Sequence, residues 1–348
     1  MKKIISLLIT VCILVSSLVS CNVFEKSSLY KEANSLIEKG EYEKAYEILK
    51  DLGDYKDAEK MLSRFRYAPT SITLKNSRIE DMKETIEIKL NKNNLTESFI
   101  RPRGTYGDVV YSLSYDDDGK LTEYKVSNIK DGETTYTDTT KYTYDKNGNM
   151  TREAMSSLSS TLQYSIEYSY DKNGNMTGYR RVNHTGEVIE HEYIYDKKGN
   201  MVEETHTWPD GKWSTSEYYY DKDGRLIKEE ALSYIIEYVY DDKGNLITET
   251  KLYRGTTDED KTENTYDEKG NLIKIVKTET KKGELSIRSM QENTYDENGN
   301  LIRKARTTPR AGIVDITLTT EYTYKFVYSP FDISEKYEEI HYQFLNIQ

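Results

Sequence analysis

Eight copies of one heptad constrain this chain more than any other feature. Tyr-Asp-x-x-Gly-[Asn/Lys/Arg]-[Leu/Met] begins at Tyr115, Tyr144, Tyr170, Tyr195, Tyr220, Tyr240, Tyr266 and Tyr295, at steps of 20 to 29 residues. An array of this kind is built from one supersecondary unit whose copies bury their apolar faces against each other. The heptad has the chemistry of a hairpin. Asp at the head of a type I turn accepts a hydrogen bond from the backbone two residues on, and Gly supplies the left-handed residue of a G1 bulge. The structural turn residues are therefore Asp116 and Gly119, Asp145 and Gly148, Asp171 and Gly174, Asp196 and Gly199, Asp221 and Gly224, Asp241 and Gly244, Asp267 and Gly270, and Asp296 and Gly299.

If Lys146, Asn147 and Gly148 form the loop of the second copy, Asp145 faces Asn149 and Tyr144 faces Met150 across the ladder. The entering strands carry Glu-[Tyr/Asn]-x-Tyr-Asp, as in Glu167-Tyr168-Ser169-Tyr170 and Glu292-Asn293-Thr294-Tyr295. Alternation puts both rings of Tyr-x-Tyr on one face. The opposite face carries Thr143, Ser169, Ile194 and Val239, so both faces are expected to be partly dry. The 32 tyrosines are expected to form ladders whose hydroxyls reach water. Polar returns such as His184-Thr185-Gly186-Glu187 and Pro209-Asp210-Gly211-Lys212 join the copies into a meander of about sixteen strands.

These residues resemble the YD repeats of the RHS family of bacterial surface and secreted proteins. The resemblance covers about two thirds of the chain and implies a mainly β fold, a curved antiparallel up-and-down sheet of hairpins. Large family members coil that sheet into a shell around a C-terminal toxin, and some YD repeats are linked to carbohydrate binding. Eight copies are few for a shell, and only 47 residues follow Leu301, which argues against a toxin cocoon. Glu precedes Tyr-x-Tyr-Asp where many members carry Arg, which argues against anionic glycans.

The ends of the chain set its location. Lys2 and Lys3 precede an apolar run from Ile4 to Leu18 that is too short to cross a hydrocarbon core of about 30 Å and reads as a secretion signal. Leu18-Val19-Ser20-Cys21 resembles the bacterial lipobox, which implies cleavage before Cys21 and lipid attachment to it. The predicted product is extracytoplasmic and anchored by lipid to the bacterial cell membrane. Cys12 leaves with the signal, so no disulfide can form. The net formal charge of −11 becomes more negative when Lys2 and Lys3 depart, which disfavours nucleic acid as a partner.

Near the N-terminus, Gly40-Glu41-Tyr42-Glu43-Lys44-Ala45 with Leu49 recurs as Gly53-Asp54-Tyr55-Lys56-Asp57-Ala58 with Leu62. Tyr, Ala and Leu fall at helical spacing behind a Gly stop, a pattern similar to part of a tetratricopeptide repeat. The expected organisation is a signal peptide at 1–20, a tetratricopeptide-like helical segment at 21–68, transition strands at 69–105, the YD-repeat sheet at 106–330 and an edge cap at 331–348.

No enzymatic constellation is evident. His184, His191, His206 and His341 are scattered in sequence, and alternation sends His191 to the opposite face from Glu190 and Glu192. The Asp-x-x-Gly-Asn turns lack the alternating ligands and distal Glu of a calcium loop. No cofactor and no metal are expected. Trp208 and Trp213 flank one turn and are the candidate ligand-binding residues. The sequence thus predicts a monomeric, non-enzymatic, lipid-anchored binding or scaffold module for carbohydrate or an envelope protein. A glycan-capture lipoprotein serving uptake is the first alternative, and a remnant of a toxin-delivery or processing system the second.

Overall fold

The computed structural model describes residues 25–76, 83–157, 163–310 and 313–329. Cys21, the signal segment, His341 and the expected cap at 331–348 lie outside them. The described residues fall into two compact units, one drawn from residues 25–69, 90–96 and 324–329, the other from the described residues of 70–89 and 97–323.

The first unit holds the helices. Residues 25–38 form α1, Tyr42–Leu52 form α2 and Ala58–Leu62 form α3. Gly40 and Gly53 stop the chain before α2 and before the segment leading to α3, both at positive φ. Ala45, Leu49 and Ala58 are fully buried, as their spacing requires, together with Ala33, Leu52 and Met61. The second copy of the helical motif makes a helix of only five residues. Aromatic rings complete this core, with Phe65 stacked on Phe326 at 5.6 Å and Tyr46 edge-on to Phe65 at 5.5 Å. Asn94 ties the unit further, its amide donating to the Tyr42 hydroxyl (3.0 Å) and the Tyr328 carbonyl (2.8 Å).

The second unit is a sheet. Its strands begin with β1 (Phe65–Asn76), β2 (Lys83–Leu90) and β3 (Thr96–Pro102), which carry no heptad. The repeat array follows as β4 (Asp108–Tyr115), β5 (Leu121–Lys130), β6 (Glu133–Tyr144), β7 (Met150–Ser157), β8 (Tyr164–Tyr170), β9 (Met176–Asn183), β10 (Val188–Tyr195), β11 (Met201–Thr207) and β12 (Trp213–Tyr220). It continues through β13 (Leu226–Ala231), β14 (Tyr234–Tyr240), β15 (Leu246–Tyr253), β16 (Glu259–Tyr266), β17 (Leu272–Lys281), β18 (Glu284–Tyr295), β19 (Leu301–Arg310) and β20 (Ile313–Tyr328).

Each strand pairs with the next, and β20 also pairs with β1, so the 20-stranded antiparallel sheet is a closed barrel. The seam is held by side chains as well. The Thr70 hydroxyl donates to the Thr323 carbonyl at 3.2 Å, and Lys75 meets Glu321 at 2.6 Å. The curved up-and-down sheet expected from the repeats is corrected in that it closes into a barrel. The count of about sixteen strands omitted β1–β3 and the long β20, whose sequences carry no heptad, and these complete the ring. Closure removes unpaired strand edges, so the described strands leave none for an edge cap to cover.

The turns form as their chemistry dictates. In the second copy the Asp145 amide donates to the Asn149 carbonyl (2.9 Å) and the Gly148 amide to the Asp145 carbonyl (3.1 Å). Asp145 Oδ1 accepts from the amides of Asn147 (2.8 Å) and Asn149 (2.9 Å), while Oδ2 accepts from the Asn149 side chain (3.0 Å). Gly148 sits at φ 88°, where only Gly rests without steric cost. Tyr144 pairs with Met150 across a bulge. The return turns reuse the plan with other residues: Asn183 and Gly186 in one, Trp208 and Gly211 in another.

One part of the repeat logic was not anticipated. The tyrosine hydroxyl of the heptad reaches the carbonyl of the Leu or Met in the preceding copy rather than water. Tyr144 donates to Leu121, Tyr170 to Met150, Tyr195 to Met176, Tyr220 to Met201 and Tyr240 to Leu226, each at 2.8 Å. Tyr266 donates to Leu246 and Tyr295 to Leu272, each at 3.0 Å. The cause lies in the ladders. Between β11 and β12 the register ends at Glu203 opposite Glu217, so the strand ends splay and leave the Met201 carbonyl to the side chain of Tyr220. Each copy is thus stapled to the one before it.

Candidate functional site

A closed sheet has one inner face, and the tyrosine face is the less exposed of the two. On β8 the residues Tyr168 and Tyr170 are half-buried while Glu167 and Ser169 are exposed, and on β10 His191, Tyr193 and Tyr195 alternate with exposed Glu190, Glu192 and Ile194. The outer aliphatic residues are wetter than the sequence suggested: Ile194 is 53% and Val239 50% exposed.

Two of the histidines that are scattered in sequence meet on this inner face. The Asp196–Asn200 heptad turn and the bulge at Ile194 set β11 so that His191 of β10 lies directly opposite His206. His206 Nδ1 lies 2.7 Å from His191 Nε2, and His191 Nδ1 lies 2.6 Å from Glu204 Oε1. The other oxygen of Glu204 accepts the Tyr218 hydroxyl from β12 at 2.8 Å. Tyr179 of β9 stacks on His191 with centroids 4.3 Å apart, and the Trp208 ring lies 4.4 Å from that of His206. Four rings therefore follow one another across β9, β10 and β11.

Burial, and then the charge of His191, push His206 below the usual imidazole range, with Glu204 working in the opposite direction. His206 Nε2 is buried and has no hydrogen-bond partner among the described residues. Burial, followed by the charges of Glu204 and neighbouring tyrosines, keeps the Tyr193 phenol protonated well above its ordinary range. The Tyr218 phenol is raised in the same direction by burial and by its bond to Glu204. Chemically the row offers aromatic surface and one buried, unpartnered ring nitrogen.

The two tryptophans do not form a shared platform. Trp208 is 42% exposed and joins His206, whereas Trp213, 67% exposed, stands opposite Thr207 on the outer face. His184 is exposed in the Asn183–Glu187 turn. Among the described residues no group of three or more His, Cys, Asp or Glu is placed to hold a metal ion. The His191–His206–Glu204 contact was hidden in the sequence because its members lie 13 and 15 residues from His191. The signal that finds them is the heptad register, which aligns β10 and β11 once Gly199 and the bulge at Ile194 are placed.

A closed ring of tyrosine-stapled hairpins defines the class of YD-repeat shells. The sequence model of the Teneurin YD-shell matches residues 59–257. This chain belongs to that family. No curated protein matches it. Among solved structures it is similar to a porin-like protein from Bacteroides uniformis, at 13% identity over 74% of this chain and 98% of the other, with a TM-score of 0.37. It is also similar to the Tc holotoxin pore of Photorhabdus luminescens, at 14% identity over 73% of this chain and 16% of the other, with a TM-score of 0.30. Among the described residues no helix is long and apolar enough to cross a membrane.

Proposed function

We propose that this chain is a non-enzymatic YD-shell module of the bacterial cell envelope, held by a lipid on Cys21, that binds an extracellular ligand. The observation that carries the binding role is the row Tyr179, His191, His206 and Trp208. Its buried His206 Nε2 has no partner among the described residues, and a buried polar atom left unsatisfied costs about 1–3 kcal/mol. A ring bearing hydroxyls, which donate and accept, supplies both the missing hydrogen bond and a flat face for Trp208. That complementarity favours capture of a glycan, and a protein partner is the other member of the same reading.

The test is a screen of the soluble chain from Asn22 against glycans and envelope proteins. Any ligand found should be lost or weakened at least tenfold by Trp208→Ala and by His206→Phe, and kept by Trp213→Ala. Binding indifferent to Trp208→Ala and His206→Phe refutes the site. Anchoring is tested separately, since Cys21→Ser should abolish labelling by an alkyne fatty acid.

A further inference from the structure

The first ring of Tyr-x-Tyr is missing from the seventh and eighth copies. Asn264 and Asn293 stand where earlier copies place the first ring of Tyr-x-Tyr, and each amide turns back to the sheet. Asn264 donates to the Leu246 carbonyl at 2.9 Å and Asn293 to that of Leu272 at 2.8 Å, the same acceptors used by Tyr266 and Tyr295. A ring that would have projected inward is replaced by a short side chain that does not. Further along the same strands lies a cavity of about 1010 Å³ bounded by β15 to β19.

The walls of the cavity carry charge. Thr262, Lys277 and Ser289 form one register row across β16, β17 and β18. Arg306 of β19 lies opposite Gln291 beside that row. Five cations and three carboxylates line the space, in a chain whose net formal charge is −11.

Two of the carboxylates are already engaged. Asp260 accepts the Tyr253 hydroxyl at 2.7 Å and lies 3.7 Å from Arg288. Glu279 lies 2.9 Å from Lys281 and 3.6 Å from Arg288. Of the cations, Lys251 stands over the Tyr234 ring at 3.7 Å. Lys277 and Arg306 have no carboxylate partner among the described residues. Lys304, two residues before Arg306 on the same face, has its ammonium pushed down by burial and then by the charge of Arg306.

We propose that this cavity is an oxyanion site, taking a small ligand through phosphate or carboxylate groups placed between Lys277 and Arg306. The two residues stand on strands separated by one other and offset by two positions along them, about 12 Å apart at the backbone, a span that their long side chains close around a single group. Arg306 can grip an oxyanion with two parallel N–H donors, Lys277 supplies a point charge, Ser289 stands on the strand between them, and Thr262 flanks Lys277 on its other side. Glu249, opposite Thr262 on β15, faces the ligand from the far wall and sets a limit on how much negative charge is admitted.

The experiment is calorimetric titration of the full chain in detergent, at low ionic strength, with inorganic phosphate and separately with citrate. At least one of the two should bind saturably. Arg306→Gln and Lys277→Gln should each weaken that binding tenfold or more, Arg306→Lys should retain most of it, and Glu249→Gln should tighten it. Binding of phosphate alone assigns a phosphorylated ligand, and binding of citrate alone a carboxylate. Lys277 is exposed, so its variant reports even if Arg306→Gln does not fold. No saturable binding of either anion, or equal binding by the parent and both glutamine variants, overturns the proposal. Neither variant touches the Trp208 row, so failure here is distinguishable from failure of the ligand screen.

Discussion

Replacing Tyr220 with Phe deletes one hydroxyl and keeps the ring. That hydroxyl donates to the Met201 carbonyl at 2.8 Å, beyond the last ladder pair of β11 and β12 at Glu203 and Glu217. A neutral hydrogen bond contributes about 0.5–1.5 kcal/mol net, and an acceptor that stays dry after losing its donor raises the cost. Tyr220 lies at the splayed end of its strand pair, where water reaches part of the gap, so the expected loss is about 1 kcal/mol. For a unit of this size that corresponds to about 2–4 °C in melting temperature. Tyr219 is the internal control, because its hydroxyl bonds Glu217 on the same strand at 2.5 Å and its ring is on the outer face. Thermal and urea unfolding of both variants, with hydrogen exchange across residues 201–220, reads the difference. Tyr220→Phe should speed exchange near the strand ends of β11 and β12 and leave the distant copies unchanged. Equal melting shifts for the two variants would refute the staple.

Gly199→Val should destabilise its hairpin by about 1–2 kcal/mol more than Lys197→Val in a melting comparison, because Gly199 sits at φ 88° with open space around its missing Cβ, so the cost is conformational alone. Gly178→Ala should be worse than Gly199→Ala, since its Cβ would lie 2.4 Å from the His191 carbonyl and would force β9 from β10 at a cost of about 1–3 kcal/mol; unchanged melting and unchanged fluorescence of Trp208 would contradict this. Acid should unfold the array through its turns. At Asp241 the Asn245 side chain and then backbone amides hold the carboxylate below its ordinary range, and at Asp196 the Asn200 amide leads. A depressed folded value means that this stabilisation is complete above the unfolded carboxylate range near 4 and is lost as pH falls through the folded values. Asp241→Asn should flatten the pH dependence of melting below pH 4, and an unchanged slope counts against the assignment.

How much of this was legible in the sequence follows from the range of each signal. The Tyr144–Met150 register and the positive φ of Gly148 are decided within seven residues, and both were read from the heptad. The seam between β1 and β20 joins strands more than 200 residues apart that carry no motif, and nothing local marks it. The staples were missed for a related reason: Tyr220 and Met201 belong to different copies, and the pattern was read one copy at a time. His191 and His206 become neighbours only after the bulge at Ile194 and the Asp196–Asn200 turn fix the alignment of two strands, and His206 Nε2 acquires significance only from the burial that follows.

Ring closure has a consequence in arithmetic. Alternating strand directions return to a compatible partner only when their number is even, and twenty satisfies that condition at β20 and β1. One heptad hairpin contributes two strands, so whole copies can be duplicated or lost in evolution without upsetting the parity of the ring. Loss of a single strand would bring two parallel neighbours together at the join. The heptad is therefore the smallest segment by which such a gene can lengthen or shorten and still encode a closed wall, and β1–β3 with β20 make up the even remainder.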